Sequence, residues 1–169
     1  NAGTHTAMAD SLGNPNYTLI GGTDVNTKFT VKPRAVTLSW NDPDFTYNGE
    51  MQTPTATVTN LIGTDECTVT VLGTKDAGTN LTAMATGLSN ANYTLDGGSN
   101  LVTTYAIKPL SVELEWTDTE LVYNAAEQKP TATVKNLCGS DKCEIVVIGA
   151  QTNVGEYTAT AFGVTNPNY

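Results

Sequence analysis

The sequence predicts an all-β chain made of small β-sandwich modules in tandem, and three observations predict it. Threonine is in excess, about 30 of 169 residues, and is joined by Val, Ile and Tyr, a set that favours pleated strands over helices. No stretch places apolar residues at i, i+3, i+4 and i+7 over three turns, while 15 glycines, 7 prolines and many asparagines supply turn chemistry. The chain also repeats itself. Lys32-Pro33 returns as Lys108-Pro109, Trp40 as Trp116, Tyr47-Asn48 as Tyr123-Asn124, Thr55–Val58 as Thr131–Val134 and Cys67 as Cys143, all 76 residues on. Gly3 matches Gly155 and Tyr17 matches Tyr169 at 152, twice that spacing.

The elements follow in order within one period. Val36, Leu38 and Trp40 point one way and Thr37 and Ser39 the other, the alternation of a strand with one buried face. The next period reads Val112, Leu114, Trp116 against Glu113, Glu115. Phe45–Tyr47 leads into Asn48-Gly49, a strong tight-turn dipeptide, which the next period replaces with Asn124-Ala125 and so with a turn expected to differ. Thr55–Thr59 and Glu66–Leu72 flank Asn60–Asp65, which reads as a hairpin loop. Strands are expected near Asn80–Thr86, Tyr93–Leu95 and Thr103–Ile107. Six or seven short strands per period suit a compact sandwich. A beta-grasp-like module is the alternative, and it needs a helix that the pattern does not supply.

Asn1 and Asn153 share one phase of the repeat. With Pro33 and Pro109 as junctions, residues 1–33 read as the C-terminal strands of a preceding repeat, 34–109 as a complete repeat, and 110–169 as a following repeat lacking its last strand. The expectation is an excerpt from a longer array. Incomplete modules expose unpaired strand edges, which a neighbouring segment or a neighbouring chain would complete by strand addition.

Composition narrows the function. A net charge of −9 with only 8 Lys and Arg disfavours phosphate backbones, so no nucleic-acid partner is expected. No run of 18 apolar residues appears, so no membrane insertion of this segment is expected. A single His removes the usual carrier of acid–base and metal chemistry at neutral pH, and the expectation is a non-enzyme without cofactor.

Asn153-Val154-Gly155-Glu156-Tyr157-Thr158-Ala159 resembles the tyrosine corner of immunoglobulin-like domains, with Ala159 where true immunoglobulin domains keep a disulfide cysteine. The middle copy departs from it, since Asp76-Ala77-Gly78 leads into Thr79-Asn80-Leu81 with no Tyr and one residue of offset. Val36–Trp40, Phe45–Gly49, Pro54–Val58, Gly87–Tyr93 and Tyr105–Pro109 resemble the immunoglobulin-like MBG or YDG-type repeats of bacterial adhesin-like surface proteins. That resemblance covers essentially the whole chain. It implies an extracellular or cell-surface setting and a stalk, spacer or filament role, with adjacent repeats as partners. The competing implication is an adhesin module that binds glycan or host protein.

Candidate chemistry is sparse. Cys138 corresponds to Ile62 and Cys143 to Cys67, so Cys138 and Cys143 flank one hairpin loop and are the candidates for a disulfide around Gly139–Lys142. Cys67 alternates with Val69 and Val71, the pattern of a small buried apolar side chain. Asn41-Asp42-Pro43-Asp44 and Thr117-Asp118-Thr119-Glu120 place acidic groups in equivalent loops, without the ordered ligand spacing of a calcium loop. Trp40 and Trp116 end apolar strand faces and are candidates either for packing or for an exposed sugar-binding platform. His5 has no counterpart in the other periods, and Lys32 and Lys108 precede proline, a poor setting for an isopeptide cross-link.

Overall fold

A computed structural model of the chain describes residues 1–21, 25–41, 43–96 and 100–169. The described residues form strands and no α-helix. In chain order these are β1 (Gly3–Met8), β2 (Asn26–Val31), β3 (Arg34–Ala35), β4 (Leu38–Asn41), β5 (Phe45–Thr46), β6 (Thr55–Val58) and β7 (Val69–Leu72). They continue as β8 (Gly78–Leu88), β9 (Tyr93–Thr94), β10 (Val102–Lys108), β11 (Leu114–Thr117), β12 (Thr131–Val134), β13 (Ile145–Ile148) and β14 (Thr160–Val164). The all-β expectation holds among the described residues, and the helix that a beta-grasp module requires is not found among them.

The chain divides into two compact units, each gathered from three separate stretches. The first comprises Asn1–Asn41, Thr55–Leu72 and Met84–Thr103. It opens with the antiparallel hairpin β1–β2, in which Gly3 faces Val31 and Met8 faces Asn26. Both strands are exposed along almost their whole length. β4 ladders against β6 and β7 against β8, both antiparallel, while β3 pairs in parallel with β9. Val36, Leu38, Ala56, Val58, Ala85 and Tyr93 make the core, with Trp40, Cys67, Val69 and Leu101 packed around it. The predicted alternation is present: Val36 and Leu38 are buried, and Thr37 and Ser39 are exposed. Burying side chains of this kind stabilises the fold by roughly 1.5–3 kcal/mol each.

The second unit comprises Asp42–Pro54, Gly73–Ala83 and Thr104–Tyr169. β5 runs parallel to β10, with Phe45 opposite Ile107. β11 and β12 repeat the register of β4 and β6, Leu114 facing Val134 as Leu38 faces Val58. β13 and β14 repeat that of β7 and β8, including an irregularity between Val146 and Val147 that matches the one between Thr70 and Val71. Tyr47, Pro54, Tyr105, Ile107, Ala132, Cys143 and Val147 are buried.

Two sequence readings need correction. The segment expected as a strand from Glu66 starts its ladder only at Val69, and β6 meets it through one bridge, Thr57 with Thr68. β6 spends its ladder on β4 instead, so Asn60–Asp65 is a turn between sheets, with Asp65 N–H donating to Ile62 O at 3.1 Å and Gly63 at φ +59°. The turn at Asn124-Ala125 also does not differ from its counterpart. Asn124 Oδ1 accepts from Ala126 N–H at 2.9 Å as Asn48 Oδ1 accepts from Glu50 N–H at 2.9 Å. Ala125 takes φ +64° where Gly49 takes +79°, a region that costs an L-residue but not glycine.

Candidate interaction cleft

Each unit is locked by a tyrosine that the chain delivers in the same way. The turns Asn90–Tyr93 and Asn166–Tyr169 are built alike: the Asn side chain accepts from the amide two residues on at 3.0 Å, and its carbonyl accepts from the Tyr amide at 3.1 Å. The Tyr93 hydroxyl then accepts from Ile62 N–H at 2.9 Å and donates to Asp65 Oδ2 at 2.7 Å. The Tyr169 hydroxyl accepts from Cys138 N–H at 2.7 Å and donates to Asp141 Oδ2 at 2.8 Å. The tyrosine-corner reading at Tyr157 is therefore corrected. Tyr157 is exposed and folds back over Gly155, and among the described residues the hydroxyls that bond to distant backbone belong to Tyr93, Tyr105 and Tyr169.

In the second unit Tyr47 joins this node, donating to Asp141 Oδ2 at 2.6 Å with its ring edge-on to Tyr169. Phenols that donate to a carboxylate resist ionisation. The Asp141 hydrogen bond and then burial push Tyr47 up to about 12. Burial raises Tyr169 as well, against the Cys138 amide. The hydrogen bonds from Tyr47 and Tyr169 hold the Asp141 carboxyl below its ordinary range, although burial opposes them. At Tyr93 the Ile62 amide favours the phenolate, but burial and the Asp65 bond outweigh it and the value is raised.

The second unit also carries an open cleft of about 660 Å³. One wall is made by Thr119, residues 121–123 and residues 128–130, and the other by Gly149, residues 151–155 and residues 157–159, with Trp116 at the side. Gln128 and Gln151 exchange two backbone hydrogen bonds of 2.9 Å, which tie the walls together at their base. Gln128 Nε2 donates to Val122 O at 3.0 Å, and Lys129 Nζ to Val147 O at 2.8 Å. Leu121, Val122, Tyr123, Val154 and Tyr157 present apolar surface there and are exposed. The lining holds no carboxylate, His, Cys or Ser. What this arrangement offers a ligand is apolar contact and backbone hydrogen bonding.

The segment 42–54 supplies the comparison. Gln52 Nε2 donates to Thr46 O at 3.0 Å as Gln128 does to Val122 O, so the two segments fold alike. Around 42–54, however, β10 runs alongside, with Tyr47 N–H donating to Lys108 O at 2.8 Å, and the Tyr47 side chain is covered by Tyr169 and Asp141, leaving it 2% exposed. Tyr123, its counterpart, is 58% exposed.

The remaining sequence candidates fall as follows. Cys67, Cys138 and Cys143 are all free thiols, so the disulfide weighed for Cys138 and Cys143 is not formed. Cys138 sits instead beside Gly49, where a Cβ would lie 3.0 Å from its own. Cys67 is only half-buried, and Cys143 is the buried one. Trp40 packs against the first core and donates Nε1–H to Asn100 O at 2.8 Å, whereas Trp116 is 37% exposed at the cleft. Asp42 lies outside the described residues; Asp44 pairs with Lys108 at 3.1 Å on the surface, and no cluster of three or more metal-ligand side chains occurs among the described residues. His5 Nε2 bonds to Asn1 O at 2.9 Å and its ring leans on Phe29.

The cleft escaped the sequence reading because Leu121-Val122-Tyr123 has the pattern of a buried strand. Its departure from the buried set, Phe45-Thr46-Tyr47, lies in what covers it. No protein family, no curated protein and no solved structure matches this chain.

Proposed function

We propose that this chain is a structural repeat segment of a bacterial secreted or cell-surface protein. In this reading it is a stalk, spacer or fibre-forming stretch of immunoglobulin-like β-sandwich modules, not an enzyme, and strand addition from a neighbour completes its open edges. The observation that carries it is the twice-built node, Tyr93 with Ile62 and Asp65, and Tyr169 with Cys138 and Asp141, set 76 residues apart in sequence. Stability in such chains is summed from like units, which suits a spatial role. The acidic surface favours solubility over nonspecific association.

A second reading, an adhesin module recognising glycan or host protein, is favoured by Trp116 alone, because an exposed indole beside an apolar cleft is a platform for a sugar ring. Glycan arrays and calorimetry on the wild type and on Trp116→Ala separate the two. The spacer reading predicts no saturable glycan binding in either protein. Saturable binding lost in Trp116→Ala would replace it with the adhesin reading.

A further inference from the structure

We propose that Asn48 is a self-modifying site: its side-chain amide is lost to a succinimide closed by the Gly49 backbone nitrogen, and the product loosens the tyrosine node of the second unit. This covalent change needs water alone and is separate from the spacer reading.

The chain has 16 asparagines, and Asn48 is the one followed by glycine. Four others have both amide atoms engaged. In Asn60, Asn90, Asn136 and Asn166, Oδ1 accepts from a backbone N–H at 2.8–3.0 Å and Nδ2 donates to a backbone carbonyl at 2.8–3.1 Å. Asn48 is exposed and held by Oδ1 alone, which accepts from Glu50 N–H at 2.9 Å. Ring closure at a locked asparagine must first break the bond to the departing nitrogen. At Asn48 that nitrogen is free to leave.

The atoms balance as follows. The Gly49 nitrogen, its proton taken by hydroxide, attacks Asn48 Cγ and forms a C–N bond. Negative charge gathers on Oδ1, then the Cγ–Nδ2 bond breaks and ammonia departs. Water opens the imide at either carbonyl, giving an aspartyl or an isoaspartyl residue and one more negative charge. Nothing is oxidised or reduced. The Glu50 N–H already lies against the oxygen on which charge develops, a preorganised donor. Glycine completes the site, because without a Cβ its nitrogen approaches Cγ unhindered and its backbone can leave φ +79° for the ring conformation.

Asn124 is the matched comparison. Its Oδ1 accepts from Ala126 N–H at the same 2.9 Å, but the next residue is Ala125, at φ +64°. The Ala125 methyl crowds the attacking nitrogen and narrows the backbone's choices, so this turn keeps its asparagine.

The change at Asn48 falls between two contacts of the node. Tyr47 donates to Asp141 Oδ2 at 2.6 Å, and a Cβ at Gly49 would lie 3.0 Å from that of Cys138. An isoaspartyl link adds a carbon to the main chain between them, so Tyr47 and Gly49 cannot both keep their places.

The test is peptide mapping by mass spectrometry of the folded, full-length chain, warmed at mildly alkaline pH. Position 48 should convert first, at a rate proportional to hydroxide concentration and with isoaspartate among the products, while position 124 stays asparagine. Ala125→Gly should open a second site at position 124. Hydrogen exchange on the converted chain should speed up at residues 138–141 and stay unchanged at residues 62–65. Asn48→Ser, which cannot form the imide, should keep its protection through the same incubation. An Asn48 that survives the incubation, or an Ala125→Gly chain whose Asn124 survives it, overturns the site. Conversion at position 48 with unchanged exchange at residues 138–141 overturns the loosening. Neither result touches the spacer reading, which the glycan measurement decides.

Discussion

Ala125 and Gly49 make a matched pair of turns from which a stability difference can be worked out. Each follows an Asn whose side chain caps the amide two residues on at 2.9 Å, and each takes a left-handed φ, +64° and +79°. An L-residue there costs about 1–2 kcal/mol. Exchanging Ala for Gly returns about 0.4–1 kcal/mol through the unfolded chain. Ala125→Gly should therefore stabilise by about 0.5 kcal/mol, a rise in melting temperature of about 1–2 °C for a chain this long. Gly49→Ala runs the other way and adds a methyl 3.0 Å from the Cys138 Cβ, so the loss should reach about 1–2 kcal/mol, or about 2–8 °C. Thermal and urea unfolding followed by circular dichroism measure both. Destabilisation by Ala125→Gly, or no effect of Gly49→Ala, would refute the assignment of both turns to one strained geometry.

Other outcomes follow from the same contacts. Tyr93→Phe and Tyr169→Phe each leave the Ile62 or Cys138 amide without its acceptor, and urea titration should show a loss of about 1–3 kcal/mol in each, with little change in slope. Tyr47, with its pKa raised to about 12, contributes stability that is complete below pH 10 and lost as pH rises from 10 through 12, because the folded chain holds the neutral phenol against Asp141. Absorbance at 295 nm should show a phenol titrating near pH 12 that disappears in Tyr47→Phe. Asp141 has the opposite sign: its contribution is present above the ordinary carboxylate range and fades as pH falls through its lowered pKa, so Asp141→Asn should flatten the acid limb of stability.

Much of the fold could be read from local pattern. Val36, Leu38 and Trp40 bury one face because a strand alternates, and that information lies within five residues. The strands at Gly78–Leu88 and Val102–Lys108 were anticipated within narrower bounds, Asn80–Thr86 and Thr103–Ile107. The tyrosine that locks each unit was not, because the partner of Tyr93 is Ile62, 31 residues upstream, and nothing near Tyr93 names it. The recurring Asn-x-Asn-Tyr at Tyr17, Tyr93 and Tyr169 was the available signal, and its turn is built in the same way all three times. Tyr157 drew attention through a family likeness, but its hydroxyl folds back on its own loop. The cleft was hidden for a different reason. Whether Leu121–Tyr123 is buried depends on which strand lies alongside it, and a hydrophobic pattern reports only that something should.

Hydrogen exchange read by mass spectrometry on Tyr169→Phe beside the wild-type chain tests the central claim, two like units each held by its own tyrosine node, most directly. The account predicts that the amides of residues 138–141 lose protection while those of residues 62–65 keep it. Equal loss at both nodes, or no loss at 138–141, would contradict it.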